Sequence, residues 1–576
     1  MDSAAMSQLV GHVTFSTDTM RGVEHGMLAA APGAGAGRFW SGRHAVVGLR
    51  AARAPAAGRP DRPGLVAALL GRCAAGPGTL TDDPDTVLDA CADGPDTLPG
   101  SLDGDYALAV WDESRRQLTL VRDALGTRPL YYHRTDDGVV FASCLAALLA
   151  HPRVPVRLGL DGLRQALAGI AVPGATPYEG VREVPAGHAV RFGRDGVSWR
   201  RHWRPDASAG HTDDLATTVR RTRELLERAV ERRTGDGPVA ALVSGGLDSS
   251  TLAALHARHR SGPITTFAVD YPGYEDGYEP HIARPDPDTP YVRDMVAHLG
   301  ARHTDVLLKP ADLTGGELWE TLVGLIEAPT VLADVEPSML LLYRRVAEAS
   351  GAVLGGEGAD ELFGGFPWFH HPQWATAPGF PWAPTTDLVV GTLFGRASAA
   401  LDVPGFRDQE YRRAVAEFAG DPHTDRMRLV IQLFLTRFLP EQLERAHRFG
   451  AATGLDVRTP FCDRALVDYV FAVPWAVHTA DGREKTLLRA AARDLLPASV
   501  RGRRKSGYPL TRDAAYDHTL RTAVRRLCAD PGEPVHPLLD DRAVDAPRLS
   551  RNEMELALRL NGWLKRRRLQ VPSSIV

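Results

Sequence analysis

The sequence predicts two architectures in series: an α+β part over residues 1–205, mostly sheet with a few helices, then an α/β domain over 212–576 with a parallel sheet. Three observations predict it. The first part is built of short strand-like runs joined by Asp-Gly turns. From residue 239 onward, short apolar strands run into glycine turns and then helices, the alternation of a parallel sheet. Between the two, Pro205 to Thr212 is a polar linker containing Gly and Pro.

Length and composition set the bounds. At 576 residues the chain is too long for one ordinary domain, and its 44% hydrophobic and 24% charged content is that of a globular protein. A net charge of −4 gives no general attraction to nucleic acid or acidic lipid, so neither is expected as a partner. The five cysteines, Cys73, Cys91, Cys144, Cys462 and Cys528, are scattered without Cys-x-x-Cys spacing, which argues against a disulfide framework or a zinc site. With no signal-like N-terminus and no apolar run of membrane-spanning length, a soluble cytoplasmic protein is expected.

In the first part, Leu118 to Arg122, Pro129 to His133 and Gly138 to Ser143 read as strands, with Asp136-Asp-Gly138 as a hairpin turn. His188 to Phe192, Arg194-Asp-Gly196 and Val197 to Trp203 repeat the device. The second part opens on a helix with Thr212 as N-cap and Leu215, Val219, Leu225, Leu226, Ala229 and Val230 on one face, ending near Arg233.

The next stretch, Val239-Ala-Ala-Leu-Val-Ser-Gly-Gly-Leu-Asp-Ser-Ser250, organises the rest. Val239 to Val243 is too short for a helix, whereas small and apolar residues recur at helical spacing from Ser249, so the reading is strand, tight turn, helix. Gly245 and Gly246 permit positive φ and close approach to a bound group. Amides at the helix start make an anion pocket, to which Ser244, Ser249 and Ser250 add hydroxyls. Asp248 is the one carboxylate, and among anion-binding amides it suits a Mg²⁺ shared with phosphate. Ile264 to Asp270 is the next strand, and the acidic, aromatic loop from Tyr271 to Pro290 reads either as a solvated insertion or as substrate-binding. Tyr291 to Leu299 reads as a helix and His303 to Leu308 as a third strand.

A second strand-to-glycine turn follows, Val353-Leu-Gly-Gly-Glu-Gly-Ala-Asp-Glu-Leu-Phe-Gly-Gly365, as expected for another wall of one crevice at the C-terminal ends of parallel strands. Phe366 to Asp421 is rich in aromatic residues and proline. Its rings either pack together or line a cavity for a bulky substrate, and His370 and His371 lack the companions of a metal site.

The Ser-Gly-Gly-Leu-Asp-Ser-Ser turn resembles the PP-loop of ATP pyrophosphatases, and no Walker-type Gly-Lys-Ser/Thr follows it. Asp103 to Asp112, Val121 to Tyr132 and Val184 to His188 are similar to the class II amidotransferase domain of asparagine synthetases, which implies a four-layer sandwich of two sheets between helices. The second glycine turn, Glu444 to Gly450, Gly454 to Asp463, Glu484 to Arg489 and Arg501 to Tyr508 follow in the order of the same family's synthetase domain, with Leu439 to Asp463 matching its helical part. The resemblance implies ATP and Mg²⁺, with Val243, Ser244, Gly245, Gly246, Asp248, Ser249, Ser250, Val269, Gly355 and Gly356 around the nucleotide and pyrophosphate. It implies Asp248 and Asp360 on the metal, Glu357 facing the acyl group and Lys505 at the adenylate, whereas Glu361 reads as an ordinary carboxylate at a helix start. Glu327 to Thr330 and Asp334 to Ser338 fall where the family begins its substrate pocket.

One departure from the family is decisive for the expected reaction. Its glutaminases use a Cys at residue 2, but here the chain reads Met1-Asp2-Ser3 and no cysteine precedes Cys73. Without glutamine hydrolysis, the amine that captures the acyl-adenylate comes from solution or from the substrate itself. Lasso peptide cyclases and β-lactam synthetases are the relatives that fit. Glu357, where the β-lactam enzymes typically carry Tyr, favours the cyclase, with a leader-free core peptide as substrate and a leader peptidase and precursor-recognition protein as partners. An ammonia-dependent asparagine synthetase and a non-catalytic peptide- or nucleotide-binding scaffold are the other readings.

Overall fold

The computed structural model describes residues 8–16, 22–33, 35–50, 54–59, 62–76, 78–91, 98–235, 237–276, 278–280, 284–330 and 335–572. Asp2, Ser3 and Asp334 lie outside the described residues. The N-terminal part holds two six-stranded sheets. Its strands are β1 (Gln8–Thr14), β2 (Arg38–Ser41), β3 (Ala45–Arg50), β4 (Ala56–Arg59), β5 (Arg62–Ala75), β6 (Leu102–Asp112), β7 (Gln117–Arg122), β8 (Tyr131–Thr135), β9 (Gly138–Ala142), β10 (Val181–Glu183), β11 (His188–Gly193) and β12 (Gly196–Arg201). One sheet runs β10-β8-β9-β1-β3-β2 and the other β12-β11-β7-β6-β5-β4.

Alternation along the strands buries one set of side chains between the sheets, where Leu9, Val47, Trp111, Leu120, Phe141 and Phe192 interdigitate. Helices Val23–Ala30 and Leu145–Leu149 cover the outer face of the first sheet, and Asp85–Ala90 covers the second. The expected turns lie in place: Thr135 pairs with Gly138 across Asp136-Asp137, and Gly193 with Gly196 across Arg194-Asp195.

The helix that opens the second part spans Leu215–Thr234. Its cap differs from expectation, because the Asp214 carboxylate, not Thr212, accepts from the Thr217 N–H at 2.8 Å. Leu215 is exposed in that first turn, and burial begins further along the apolar stripe at Leu226, Ala229 and Val230.

Five parallel strands follow: β13 (Ala240–Leu242), β14 (Thr265–Asp270), β15 (Arg302–Leu307), β16 (Ala352–Leu354) and β17 (Asp456–Arg458), in spatial order β15-β14-β13-β16-β17. The chain steps outward from β13 to β15 and then returns to the other side of β13, so the order reverses between β13 and β16. Such a switch point opens a crevice beyond the C-terminal strand ends. β17 corrects the reading of Leu439 to Asp463 as helical, since only Leu439–Thr453 is helix before the chain turns at Gly454 and adds a fifth strand. The rest is helical, ending in Arg551–Arg567, whose Leu556, Leu560 and Trp563 are buried while Lys565 and Arg568 are exposed. No helix among the described residues is long and apolar enough to cross a membrane.

Candidate active site

Two turns meet at the switch point. After β13, Val243 is buried and donates its N–H to the Phe267 carbonyl at 2.8 Å, carrying strand pairing up to the turn. Gly245 has φ +64°, and a Cβ there would lie 2.5 Å from Tyr291 Cβ, so both the dihedral and the space demand glycine. Gly246 then caps the helix Leu247–Arg258 with no side-chain hydrogen bond to its first amides, which leaves these donors to a ligand. Ser244 and Ser249 hydroxyls lie 3.0 Å apart, and Ser249 Oγ accepts the Ser244 N–H at 3.1 Å. Ser250, in the first turn of that helix, is fully buried and its Oγ has no protein partner, unlike the paired Ser244 and Ser249 hydroxyls. Val269 is buried one residue before the end of β14, leaving backbone rather than side chain at the crevice.

The opposing turn follows β16. The Gly355 N–H donates to the Arg458 carbonyl at 2.8 Å, and a Cβ on Gly355 would lie 2.2 Å from Glu357 Oε2. A Cβ on Gly356 would lie 3.7 Å from Asp248 Cβ, so the two turns close on each other. Burial raises the Glu357 carboxyl, and its Oε2 has no hydrogen-bond partner.

Between the turns stand two carboxylates and two ammonium groups. Lys485 Nζ is 2.5 Å from Asp248 Oδ2 and 2.5 Å from Asp360 Oδ1, while Lys505 Nζ is 2.6 Å from Asp360 Oδ2 and 3.9 Å from Asp248 Oδ2. Burial alone would raise Asp360, but the two lysines outweigh it and hold the carboxyl at about 2. Burial works against the charge on Lys505, yet Asp360 and Asp248 raise its pKa. Gly365 packs against this group, since a Cβ there would lie 1.9 Å from Asp360 Oδ1 and 2.0 Å from Lys485 Cε.

Lys485 is the functional residue that sequence reasoning missed. The Glu484-Lys-Thr segment is visible, but its charge partner Asp248 lies 237 positions away, so no local pattern shows the pairing. Glu361 is the second departure. It is 1% exposed, accepts from Gln442 Nε2 at 2.6 Å, and burial reinforced by Asp360 pushes its carboxyl up to about 8, unlike a solvated helix-start carboxylate.

The pair Asp248 and Asp360 fits a Mg²⁺. Both carboxylates reach one cationic point, now the Lys485 ammonium, which lies 2.5 Å from an oxygen of each. No group of three or more His, Cys, Asp or Glu side chains suited to a metal occurs among the described residues. Two carboxylates with the remaining positions left to phosphate oxygens is the donor set of a nucleotide-borne Mg²⁺.

The loop after β14 is not a solvated insertion. Tyr271 and Tyr274 are buried, the Arg512 guanidinium lies 4.1 Å from the Tyr278 ring centroid, and Arg284 donates to the Gly507 carbonyl. Arg503 donates to the Ser244 and Pro287 carbonyls at 3.0 and 3.3 Å. These contacts strap the segment carrying Lys505 to the glycine turn after β13.

The aromatic region after Phe366 is largely packed on itself. Phe369, Phe380 and Trp382 are buried, with Phe434 stacked 4.6 Å from Phe369 and Trp382 donating to the Gly169 carbonyl at 2.7 Å. Its outer flank, Trp374, Phe380 and Pro384, lines a pocket of about 200 Å³. His371 stacks on Trp374 at 4.2 Å and His370 hydrogen-bonds the Gly364 carbonyl. Of the upstream candidates, Glu336 is buried in ion pairs with Arg448 and Arg559, and Glu327 accepts from the Ala146 N–H at 3.2 Å. Glu336 therefore ties three helices together, and Glu327 ties its loop to the helix Leu145–Leu149.

All five cysteines are buried, and burial pushes the Cys73 thiol up to about 12. None is displayed as a nucleophile.

Comparison with known proteins gives two family matches: the asparagine synthase model over residues 221–565 and the glutamine amidotransferase domain model over residues 79–203. Asparagine synthetase [glutamine-hydrolyzing] 3 of Bacillus subtilis is 32% identical over 476 residues, covering 81% of this chain and 76% of that protein. Asparagine synthetase [glutamine-hydrolyzing] 1 of the same organism is 24% identical over 448 residues (71% and 68%), and that of Gallus gallus 27% over 432 residues (71% and 63%).

Proposed function

The chain belongs to the asparagine synthase family, and from that premise we propose that it adenylates an Asp or Glu side chain of a leader-free core peptide and closes a macrolactam on the peptide's own α-amine. That it is an ATP-dependent amide-forming ligase releasing AMP and pyrophosphate follows from the family. The peptide is the proposal.

In this reading the amides beyond Gly246 and the Ser244 and Ser249 hydroxyls hold the pyrophosphate end of ATP, and Asp248 and Asp360 hold Mg²⁺. When bound, the ion supplies positive charge between the phosphates and the incoming carboxylate. A carboxylate oxygen of the peptide attacks the α-phosphorus, and the bond to the bridging oxygen breaks to free pyrophosphate. The amine nitrogen then attacks the acyl carbon, loses a proton, and the bond to AMP breaks. Lys505 neutralises charge on the departing AMP, and Glu357 faces the acyl group. Ring closure benefits from an amine held on the same molecule.

The observation that carries an amine supplied by the substrate is the burial of every cysteine in the chain, which leaves no thiol poised to release ammonia from glutamine. A leader peptidase and a precursor-recognition protein would act before this step. The test is pyrophosphate release and product mass with a leader-free core peptide and magnesium-ATP. The expected product is one water lighter than the peptide, with no nitrogen from amide-labelled glutamine. Incorporation of that label refutes the reading.

The relatives are named glutamine-hydrolyzing asparagine synthetases, which supports asparagine formation as a second reading; with every cysteine buried, ammonia would be the nitrogen donor here. Formation of asparagine from aspartate, ATP and ammonium, with no turnover of peptide, would establish it instead.

A further inference from the structure

The N-terminal sandwich carries a second pocket at the side where its two sheets part. It has a volume of about 460 Å³ and is lined by Tyr132, Arg134, Arg182, Pro185, Val197 and Trp199, none of which belongs to the crevice between β13 and β16. Tyr132, Arg134 and Arg182 come from β8 and β10, the edge of one sheet, and Val197 and Trp199 from β12, the edge of the other. The pocket is the open seam of the sandwich.

Register explains why an aromatic ring stands there. Val197 and Trp199 pair with Phe192 and Val190, both fully buried between the sheets, so all four side chains share the inner face. Val197 still covers the core, but Trp199 overhangs the last strand of the facing sheet. It is 48% exposed, with the Tyr132 ring 6.1 Å away as its neighbour. Large apolar rings left over a cavity mark binding surfaces more often than isolated surface residues do.

Charge narrows the occupant. The side chains of Arg134 and Arg182 are exposed and make no ion pair or hydrogen bond among the described residues, and no carboxylate is among the residues lining the pocket. Arg201, two residues beyond Trp199 and on the same face, extends the positive charge along β12. This concentration stands on a chain whose net charge is −4. β12 also ends its sheet, so one edge of its backbone is without a neighbouring strand among the described residues. Cationic side chains on such an edge repel basic strands and admit acidic ones.

We propose that this seam binds an extended, acidic segment of a partner protein, added as a strand along β12, with an aromatic or aliphatic side chain against Trp199 and carboxylates on Arg134 and Arg182. Main-chain pairing supplies affinity and the pocket supplies selection, as in other strand-addition sites. The guanidiniums give planar, two-pronged recognition of carboxylate.

The test uses the full chain and a fluorescein-labelled, end-blocked peptide of alternating Glu and Val with one central Phe, titrated by anisotropy. Controls are its Gln-for-Glu analogue and a version N-methylated at alternate residues. Saturable binding is expected, at least tenfold tighter than for either control. Arg134→Glu with Arg182→Glu abolishes it and Trp199→Ala weakens it tenfold or more, while ATP-dependent pyrophosphate release is unchanged in these variants. The proposal is overturned if the Glu peptide does not saturate, if the Gln or N-methylated peptide binds equally well, if charge reversal leaves the curve in place, or if a poly-dT oligonucleotide outcompetes the peptide.

Discussion

Replacing Lys485 with Met should cost the protein more stability than replacing Lys505 with Met, although both lysines touch the same carboxylates. Lys485 is 2% exposed and contacts both Asp248 and Asp360 at 2.5 Å. At an effective dielectric of about 20, each contact is a gross attraction of roughly 6–7 kcal/mol, most of it offset by the cost of dehydrating the ammonium. Removing one partner of such a buried group strands the others, and about 3–5 kcal/mol is the usual loss. Lys505 is 29% exposed with one close contact at 2.6 Å, so solvent screening reduces its share to about 1–2 kcal/mol. Urea unfolding at neutral pH without nucleotide, followed by tryptophan fluorescence, should give the order wild type, Lys505→Met, Lys485→Met from most to least stable. Magnesium-ATP should restore more stability to Lys485→Met than to Lys505→Met, because a divalent ion between the carboxylates replaces the missing ammonium. Amide formation should show the opposite order, with Lys505→Met slowed by about 10²–10³. Equal midpoints for the two variants, or a Lys505→Met that unfolds first, would refute the division of labour.

Asp248→Asn and Asp360→Asn should each reduce pyrophosphate release by about 10³, and EDTA should abolish it in the wild type, as measured by coupled pyrophosphate detection. Gly245→Ala should lose nucleotide binding by calorimetry, since the new Cβ meets Tyr291 and the positive φ alone costs about 1–3 kcal/mol. If Glu357 faces the acyl group as proposed, Glu357→Gln should slow amide formation more than pyrophosphate release; equal slowing of both would place it elsewhere. Burial raises the Asp463 carboxyl, but Arg233 outweighs it and holds its pKa below the ordinary 3.8. The resulting stability is present above about pH 4 and is lost as pH falls further. Arg233→Met should therefore unfold more readily at neutral pH and lose less on acidification than the wild type.

Strand β13, its glycine turn and the helix after it were legible because everything they need is local: a three-residue strand, two glycines, two hydroxyls and a carboxylate within one turn of a helix. The Lys-x-Gly setting of Lys505 was visible for the same reason, and the structure brings that lysine to Asp360. Lys485 was not, because its meaning comes from carboxylates on two other strands' turns. The same holds for Glu361, which has the sequence pattern of a solvated helix start and differs only in being covered by Gln442 and the helix that carries it. β17 escaped because three residues show no period, and its strand identity comes from pairing Val457 with Val353. The tyrosines at 271, 274 and 278 look like a polar loop until Arg284 and Arg512 are brought to them from the Lys505 segment and the loop's own far end.

The N-terminal sandwich has a structural role that does not depend on any thiol. β17 is the outermost strand of the catalytic sheet, only three residues long, and it lies beside β16, whose turn carries Glu357 and Asp360. Left alone, so short a strand contributes little. Instead Asp456, at its start, is held by Arg128 from the sandwich at 2.6 Å as well as by Arg458 at 2.8 Å. Asp463, which caps the next helix, shares Arg233 with Asp105 of β6, and Arg233 is itself 2% exposed. Trp203 donates to Asp468 at 2.9 Å and closes the same seam. Cutting these ties should therefore lower adenylation through misplacement of Asp360, although none of the residues touches nucleotide. Arg128→Met provides the discriminating case. Its effect should appear in pyrophosphate release at saturating ATP and peptide, whereas a sandwich that served only to deliver ammonia would leave that step untouched.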